Sequence, residues 1–257
     1  MMGAPDRSYQ CWRLRNAGQC DNDSMQQSAD NPGHRVIRSY VLRTGRITAA
    51  QQRALEQHWP RFGIGFAAQP LELARVFGRD APCTLEIGFG NGEHLLERAR
   101  AAPTQDFLGV EVHRPGIGHL LLAADAADVN NLRIIAHDAV DVLRQQLAPS
   151  SLCEVQLLFP DPWPKKRHHK RRLVQPDLVA LLASRLKPDG RLHLATDWEP
   201  YAQQMLQLLS DCDLLANCAA GGGFMDVDAT ESRSATRFER RGERLGHQVR
   251  ELLFRRR

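Results

Sequence analysis

The residues best suited to chemistry are a run of glycines and several acids, each placed directly after a short apolar run. Glu86-Ile87-Gly88-Phe89-Gly90-Asn91-Gly92 is the first of these segments. Glycines let the backbone turn tightly and approach a ligand without intervening side chains. A dinucleotide-binding loop needs a further glycine where this chain has Glu93, and its acids would repel a pyrophosphate. The segment therefore favours a cationic, phosphate-free ligand such as S-adenosylmethionine, lying against Gly88 and Gly90, over a plain strand-to-helix turn.

Two further acids end the next apolar runs. Glu111 lies 25 residues beyond Glu86, where a carboxylate can accept hydrogen bonds from the two hydroxyls of a ribose. Asp138 follows the third run, where it would either accept from an adenine amino group or cap the next helix. Because ligands of open α/β sheets bind at the carboxyl ends of the strands, Glu86, Glu111 and Asp138 are predicted to hold the cofactor.

The fourth apolar run leads into Pro160-Asp161-Pro162-Trp163-Pro164 and then into eight basic or imidazole residues, 165–172. Two prolines restrict the backbone around Asp161, which is predicted to face the same crevice. Trp163 offers either a face on which a base stacks or an ordinary core side chain. Cationic residues beside an aromatic ring favour a nucleic-acid substrate that is held by its phosphates.

The charge of the chain is unevenly distributed. The net charge is only +4, but residues 165–172 carry six positive charges and no negative one. Residues 233–257 hold nine arginines against three glutamates, so the rest of the chain is acidic. Two basic segments on an acidic body indicate either a polyanion bound to one face or a solvated surface with a basic tail.

The elements that must position these residues alternate along the chain. Strands are predicted at 84–87, 107–112, 132–136, 155–159 and 192–196, and helices between them include 93–100, 116–128 and 176–186. A turn is predicted at 187–190, and Thr48 is expected to cap a helix that runs to about His58. This alternation predicts an α/β fold with a doubly wound, mostly parallel sheet and an N-terminal helical extension. We expect a disordered leader over 1–33, the extension over 34–80 and one α/β domain over 81–257.

Several classes of protein are disfavoured by composition. No apolar run approaches the length of about 18 residues that a membrane span needs, and the N-terminus lacks the apolar core of a signal peptide. The six cysteines form no Cys-x-x-Cys pair, and no acid or cysteine lies at ligand spacing from His168 and His169. We therefore expect a cytoplasmic protein with free thiols and without a metal, as a monomer or a homodimer.

The motifs together resemble one family, the bacterial tRNA (guanine-N7-)-methyltransferases. The resemblance covers roughly residues 38–254. It rests on "RSYVLRTGRIT", "LEIGFGNGEHL", "GVEVHRPGIG", "HDAVDVL", "FPDPWPKKRHHKRR", "LHLATDWEPYAQQML" and "TRFERRGERLGH". It implies a Rossmann-like class I methyltransferase fold and methylation of N7 of a guanine in the variable loop of tRNA, with S-adenosylmethionine as cofactor.

The resemblance also implies roles for individual residues. Glu86, Glu111 and Asp138 resemble cofactor ligands, and Asp161 resembles both a cofactor neighbour and the catalytic residue. Matching positions for binding the substrate are Lys165, Asp197, Thr236, Arg237, Phe238 and Glu239. A loop that contacts RNA is implied at Arg167, His168, His169, Lys170, Arg171 and Arg172.

Three other functions are weighed against this one. A methyltransferase for another RNA or for a protein would share the cofactor half and differ in its target. An RNA-binding module without activity is disfavoured by the acids at three strand ends. An NAD-dependent oxidoreductase is disfavoured by Glu93 and by the lack of a phosphate-binding loop.

Overall fold

The computed structural model describes residues 45–225 and 248–257, in which helices and strands alternate. The helices are α1 (Ala49–Gln57), α2 (Trp59–Phe62), α3 (Leu73–Phe77), α4 (Glu93–Ala101), α5 (Arg114–Ala126), α6 (Ala139–Asp141), α7 (Pro176–Arg185) and α8 (Glu199–Ser210). The strands are β1 (Gly63–Ile64), β2 (Cys83–Ile87), β3 (Asp106–Val110), β4 (Leu132–Ile135), β5 (Leu152–Leu158), β6 (Leu186–Thr196), β7 (Leu215–Asn217) and β8 (Arg250–Arg256). A π-helix covers Val142–Gln146, and a 3-10 helix covers Lys166–Arg171.

The strands of the described residues form one sheet in the order β1-β4-β3-β2-β5-β6-β8-β7. The six strands from β1 to β6 pair in parallel, whereas β8 pairs antiparallel with both β6 and β7. The chain moves outward from β2 through β3 to β4 and then returns to the other side of β2 at β5. The strand order therefore reverses between β2 and β5, which is where doubly wound sheets bind their ligands.

Apolar side chains cover the sheet on both faces, as alternation along the strands requires. Leu85 and Ile87 of β2 belong to one core, with apolar residues of α7 and α8. The other core lies under α1, α2, α4 and α5 and includes Phe107 of β3. Helices on both faces of a mostly parallel sheet confirm the predicted fold class.

The predicted elements of the α/β region are present with small shifts. The five predicted strands correspond to β2–β6, and the three predicted helices correspond to α4, α5 and α7. The predicted turn at 187–190 lies within β6, where the pairing moves from Leu152↔Leu186 to Glu154↔Arg191. The strand therefore bulges here, and Asp189 has a left-handed backbone with φ of 63°. The prediction found the irregularity but placed the start of the strand too late.

The N-terminal extension is helical and also contributes to the sheet. Thr48 caps α1 with a reciprocal capping box to Gln51, as its sequence position predicted. The helix ends at Gln57, close to the predicted end, and Pro60 lies near the start of the separate helix α2, where a proline is tolerated. β1 then pairs with β4, so residues 63–64 belong to the same sheet as the α/β domain. The expected leader, 1–33, lies outside the described residues.

Candidate active site

The candidate residues lie along one edge of the sheet. β2 to β6 are parallel, so the segments that follow their carboxyl ends meet at this edge. In chain order these are Gly88–Gly92 after β2, Glu111 after β3, Asp138 beyond β4, Asp161 beyond β5 and Asp197 after β6. The topology therefore brings the glycines and these four acids to the same end of the sheet, and their binding of a ligand stays a prediction.

The glycine loop is held by Glu111. Gly88 and Gly90 have left-handed backbones, with φ of 72° and 59°, which glycine adopts without strain. The N–H of Gly90 donates to Oε2 of Glu111 at 2.8 Å, and the N–H groups of Val112 and His113 donate to Oε1 at 2.7 and 2.9 Å. Glu111 thus accepts three backbone hydrogen bonds, and a carboxylate has room for about one more.

The space in front of this loop fits a bound group. A Cβ added at Gly88 or at Gly90 would meet no atom within 4 Å. The carboxylate of Glu111 lies beside this space, bonded to the N–H of Gly90. Open space beside glycines and acids fits the cationic cofactor that the sequence predicted.

Glu86 is placed differently from the other acids. Its side chain lies within β2 and is 3% exposed, and Oε2 is 3.0 Å from Nδ1 of His94 in the first turn of α4. Nε2 of His94 is buried and has no hydrogen-bond partner among the described residues. Glu86 thus holds α4, the helix that follows the glycine loop, against β2. Its contact with the cofactor stays a prediction. His94 was missed by the sequence analysis, although its position directly after the loop was a signal.

Asp138 caps α6, which is the alternative that the sequence left open. Its Oδ1 accepts from the N–H of Val140 at 2.7 Å. Beside it, the ring of His137 stacks on Phe66 with centroids 3.7 Å apart and planes at 11°. Phe66 comes from the N-terminal extension, so residues 45–77 also contribute to this end of the crevice. Capping uses one oxygen of Asp138, and the predicted contact with adenine would use the other.

The turn that carries Asp161 has an unusual backbone. Phe159 and Trp163, on either side of Pro160–Pro162, have left-handed φ angles of 52° and 42°. Such angles in bulky residues persist only where the surroundings hold them. The N–H of Phe159 donates to the carbonyl of Ala195 at 2.8 Å, which keeps the start of this turn beside β6. Asp161 is exposed and Asp197 is half-buried at the ends of these two neighbouring strands.

The basic segment, residues 165–172, is a loop that contains the 3-10 helix, and most of its side chains are exposed. Lys165, Lys166, Arg167, Lys170 and Arg171 are exposed, and His168 and His169 are half-buried. The guanidinium of Arg171 lies 5.2 Å from the ring centroid of Trp163, and the ring of His168 meets that ring edge-on at 5.8 Å. Burial and the neighbouring cations, Arg167 first, lower the pKa of His168. Trp163 is thus covered by its own loop in this conformation.

Arg172 requires a correction. The sequence grouped it with the RNA-contacting residues, but Arg172 is 3% exposed, two of its nitrogens donate to protein acceptors, and the third, Nη2, is buried without a hydrogen-bond partner among the described residues. Nε donates to the carbonyl of Pro162 at 2.8 Å, Nη1 donates to Gln204 of α8, and the guanidinium lies 4.7 Å from the ring centroid of Tyr201. In this arrangement Arg172 anchors the loop and is not available to a phosphate.

Four predicted substrate residues, Thr236, Arg237, Phe238 and Glu239, lie outside the described residues. The chain enters and leaves that segment near the crevice. The N–H of Met225 donates to the carbonyl of Glu251 at 2.9 Å, and Arg250 pairs with Thr196 at the carboxyl end of β6. Arg250 also donates to Glu199 at 2.7 Å.

Two buried groups of the described residues, Tyr201 and Glu154, have shifted pKa values. Burial raises the pKa of Tyr201 to about 12, although the N–H of Val174 donates to its hydroxyl at 3.1 Å. Burial alone would raise the pKa of Glu154, but hydrogen bonds and charges from Arg98 and Arg191 outweigh it and lower that pKa. Among the described residues, no group of three or more histidines, cysteines or acids is arranged to hold a metal ion. No described helix is both long and apolar enough to cross a membrane.

Comparison with known proteins agrees with this geometry. A family model described as "Putative methyltransferase" matches residues 80–252. A "tRNA (guanine-N(7)-)-methyltransferase" of Alkalilimnicola ehrlichii is 53% identical over 237 residues, covering 91% of this chain and 98% of that protein. A protein with the same name from Leifsonia xyli subsp. xyli is 54% identical over 218 residues, covering 85% of this chain and 95% of its own length.

A solved structure is similar in fold at much lower identity. The structure titled "Crystal structure of the aminoglycoside resistance methyltransferase NpmB1" aligns with a TM-score of 0.51 and 15% identity, covering 72% of this chain and 92% of that one. This similarity shows a shared fold.

Proposed function

The chain belongs to the tRNA (guanine-N(7)-)-methyltransferase family, and we propose that it transfers a methyl group from S-adenosylmethionine to N7 of a guanine in the variable loop of tRNA. The observation that carries this proposal is the meeting of two features at one edge of the sheet. The open glycine loop and Glu111 follow β2 and β3. Asp161 and the exposed basic loop follow β5, which neighbours β2 on its other side.

The cofactor would lie against Gly88 and Gly90. Glu111 is suited to receive a ribose hydroxyl because it has one acceptor position beyond its three backbone bonds. Asp138 would accept from the adenine amino group, with the stacked pair Phe66 and His137 beside it. When bound, S-adenosylmethionine supplies an electrophilic methyl group.

The reaction requires positioning more than proton transfer. N7 of guanine already carries an in-plane lone pair, so the enzyme needs no base to activate it. The chain must hold the nitrogen in line with the methyl group and its leaving sulfur, and such alignment contributes much of the rate enhancement. The guanine ring becomes cationic as the bond forms, and the carboxylate of Asp161 is proposed to stabilise that charge.

The remaining residues are proposed to hold tRNA. The exposed Lys165, Lys166, Arg167, Lys170 and Arg171 would contact phosphates, beside the half-buried His168 and His169. Asp197 would accept hydrogen bonds from the donor edge of the guanine. Thr236, Arg237, Phe238 and Glu239 would complete the substrate pocket. The nucleotide would leave its stacked position to reach this pocket, as bases do in other enzymes that modify them.

Methylation of transcribed tRNA, followed by mass spectrometry of nucleosides, tests this function. We expect 7-methylguanosine at one position in the variable loop, formed only with S-adenosylmethionine. A methylated ribosomal RNA, a methylated protein or a different methylated base would contradict the proposal. Cofactor binding without methyl transfer would favour an RNA-binding module.

A further inference from the structure

We propose that Arg172 is a positioning residue, which holds the turn carrying Asp161 in place and closes the base of the basic loop. The effect on methyl transfer rests on the function proposed above, whereas the anchoring of the loop does not. The basic segment would thus consist of exposed residues that meet tRNA and one buried arginine that acts inside the protein.

The contacts of Arg172 link two distant parts of the chain. Nε donates to the carbonyl of Pro162 at 2.8 Å, and Pro162 is the residue directly after Asp161. Nη1 donates to Oε1 of Gln204, which lies on α8. Because α8 packs on the core through Tyr201, which is 0% exposed, the turn is tied to a rigid element.

The same helix holds the chain on the other side of Arg172. The hydroxyl of Tyr201 accepts from the N–H of Val174 at 3.1 Å, and its ring lies under the guanidinium of Arg172 at 4.7 Å. Arg172 and Val174 therefore attach directly to one patch of α8, at Tyr201 and Gln204, and Pro162 is tied to that patch through Arg172. The loop 163–171 therefore begins and ends beside this patch of α8, which fixes the position of its exposed cations.

The backbone around Asp161 depends on such an anchor. Phe159 and Trp163 have left-handed φ angles, which surrounding contacts must maintain. Pro162 lies between them and lacks a backbone N–H, so its carbonyl is the main-chain group through which it can be held. Without the hydrogen bond from Arg172, the turn would relax and Asp161 would move.

Lysine cannot replace arginine in this position, although it serves well at a phosphate. A guanidinium can bond two acceptors while lying flat on an aromatic ring, and an ammonium is a single compact charge. Arg172→Lys therefore separates the two roles, because it keeps the positive charge and removes the anchor. Arg171→Lys is the matched control in the exposed neighbour.

The main measurement is single-turnover methylation at saturating tRNA and cofactor, together with tRNA affinity over a range of salt concentrations. We expect Arg172→Lys to lower the rate by about tenfold or more, with tRNA affinity and its salt slope close to wild type. Arg171→Lys should lower the rate less. A wild-type rate in Arg172→Lys, or a decrease in tRNA affinity that exceeds that of Arg171→Lys, would overturn the proposal.

A second variant and a second readout make the test independent of activity. Gln204→Leu removes the acceptor on α8 and leaves the charge of Arg172 in place. We expect faster tryptic cleavage within 165–171 in both Arg172→Lys and Gln204→Leu than in wild type or Arg171→Lys. Unchanged cleavage in both variants would refute the anchor, whereas altered cleavage in a protein that forms no 7-methylguanosine would refute only the proposed function.

Discussion

Adjacent residues of one type can have opposite environments, as Arg171 and Arg172 do. Arg171 is exposed beside Trp163, whereas Arg172 is 3% exposed and bonded to Pro162 and Gln204. The sequence marks both as members of a basic run, because the burial of a single residue in a loop follows from contacts with a distant helix. Glu111 is the converse case, because its position after a strand was enough to predict that it lies beside the glycine loop.

Asp161→Asn tests the catalytic role at this scale. The substitution keeps the shape of the side chain and removes the negative charge that would face the cationic guanine ring. We expect the single-turnover rate to fall on the order of a hundredfold or more, with tRNA affinity within a few-fold of wild type. Asp213→Asn, in an exposed acid at the other end of the sheet, is the control. If a folded Asp161→Asn enzyme turned over normally, the acid would only shape the turn.

Glu111→Gln tests the link between the glycine loop and the cofactor. An amide offers one acceptor oxygen and places N–H groups where Oε2 now meets the N–H of Gly90. We expect cofactor binding, measured by titration calorimetry, to weaken by about 1–3 kcal/mol, with little change in tRNA binding. Glu72→Gln provides an exposed control outside the site. Unchanged cofactor affinity would remove Glu111 from the cofactor site.

At the scale of elements, α4 is joined to the sheet by polar side chains as well as by apolar packing. His94 meets Glu86 of β2, and one turn later Arg98 donates to Glu154 of β5 at 2.9 Å. Arg191 of β6 donates to the same carboxylate at 2.9 Å. This helix begins directly after the glycine loop, so its pairs with Glu86 and Glu154 also fix the position of that loop, against which a cofactor would lie.

Glu154→Gln tests this attachment through its dependence on pH. The pKa of Glu154 lies below its ordinary value of 4.5 in the folded protein, so its stabilising effect is present above about that pH and is lost as pH falls through the lowered pKa. We expect the variant to be less stable at pH 7, by about 1–2 kcal/mol because both arginines are partly exposed, and to lose less stability than wild type on acidification. Thermal melts from pH 7 down to acid would show this. Glu97 is exposed on α4, and the stability of Glu97→Gln should depend on pH as that of wild type does. The same pH dependence in Glu154→Gln would contradict the assignment of the lowered pKa to Glu154.

Most of the helices and strands could be predicted from the sequence, because apolar runs separated by turns indicate β2 to β6 and the helices between them. β1 and β7 have two and three residues, too few for a visible period. β8 was missed because Arg250, Arg255 and Arg256 at its ends made a strand look like a basic tail. The candidate site was predicted through strand ends, which topology gathers, whereas His94, Phe66 and Gln204 depend on packing between elements that no local pattern specifies.

At the scale of the molecule, the last arginines of the chain lie apart from the basic loop. Residues 165–172 lie at the carboxyl ends of the parallel strands. Arg255, opposite Arg191 of β6, lies toward the other end of the sheet, where it pairs with Asp189 at 3.0 Å. Arg257 there donates to the carbonyl of Asp213 at 3.1 Å. The sequence left open either one polyanion-binding face or a solvated surface with a basic tail, and Arg255 and Arg257 contact protein groups at the end of the sheet opposite to residues 165–172.

This separation predicts different salt dependences for two variants of equal charge. Lys166→Gln/Lys170→Gln should weaken tRNA binding and reduce the salt slope by about 0.7–0.9 for each phosphate that the loop no longer neutralises. Arg255→Gln/Arg257→Gln removes the same charge from the opposite end and should leave the slope near wild type. Filter binding across a salt series compares them. Equal slopes in the two variants would mean that the basic loop is only a solvated surface.

The antiparallel strand β8 also constrains the order in which the chain can fold. β8 lies between β6 and β7 in the sheet, yet residues 197–249 separate it from β6 along the chain. Closing so long a loop costs entropy before any pairing repays it. Until that closure, β6 keeps an open edge and β7 has no neighbour to pair with. The parallel half of the sheet can thus assemble from nearby segments, while its far side must wait for the last strand to arrive.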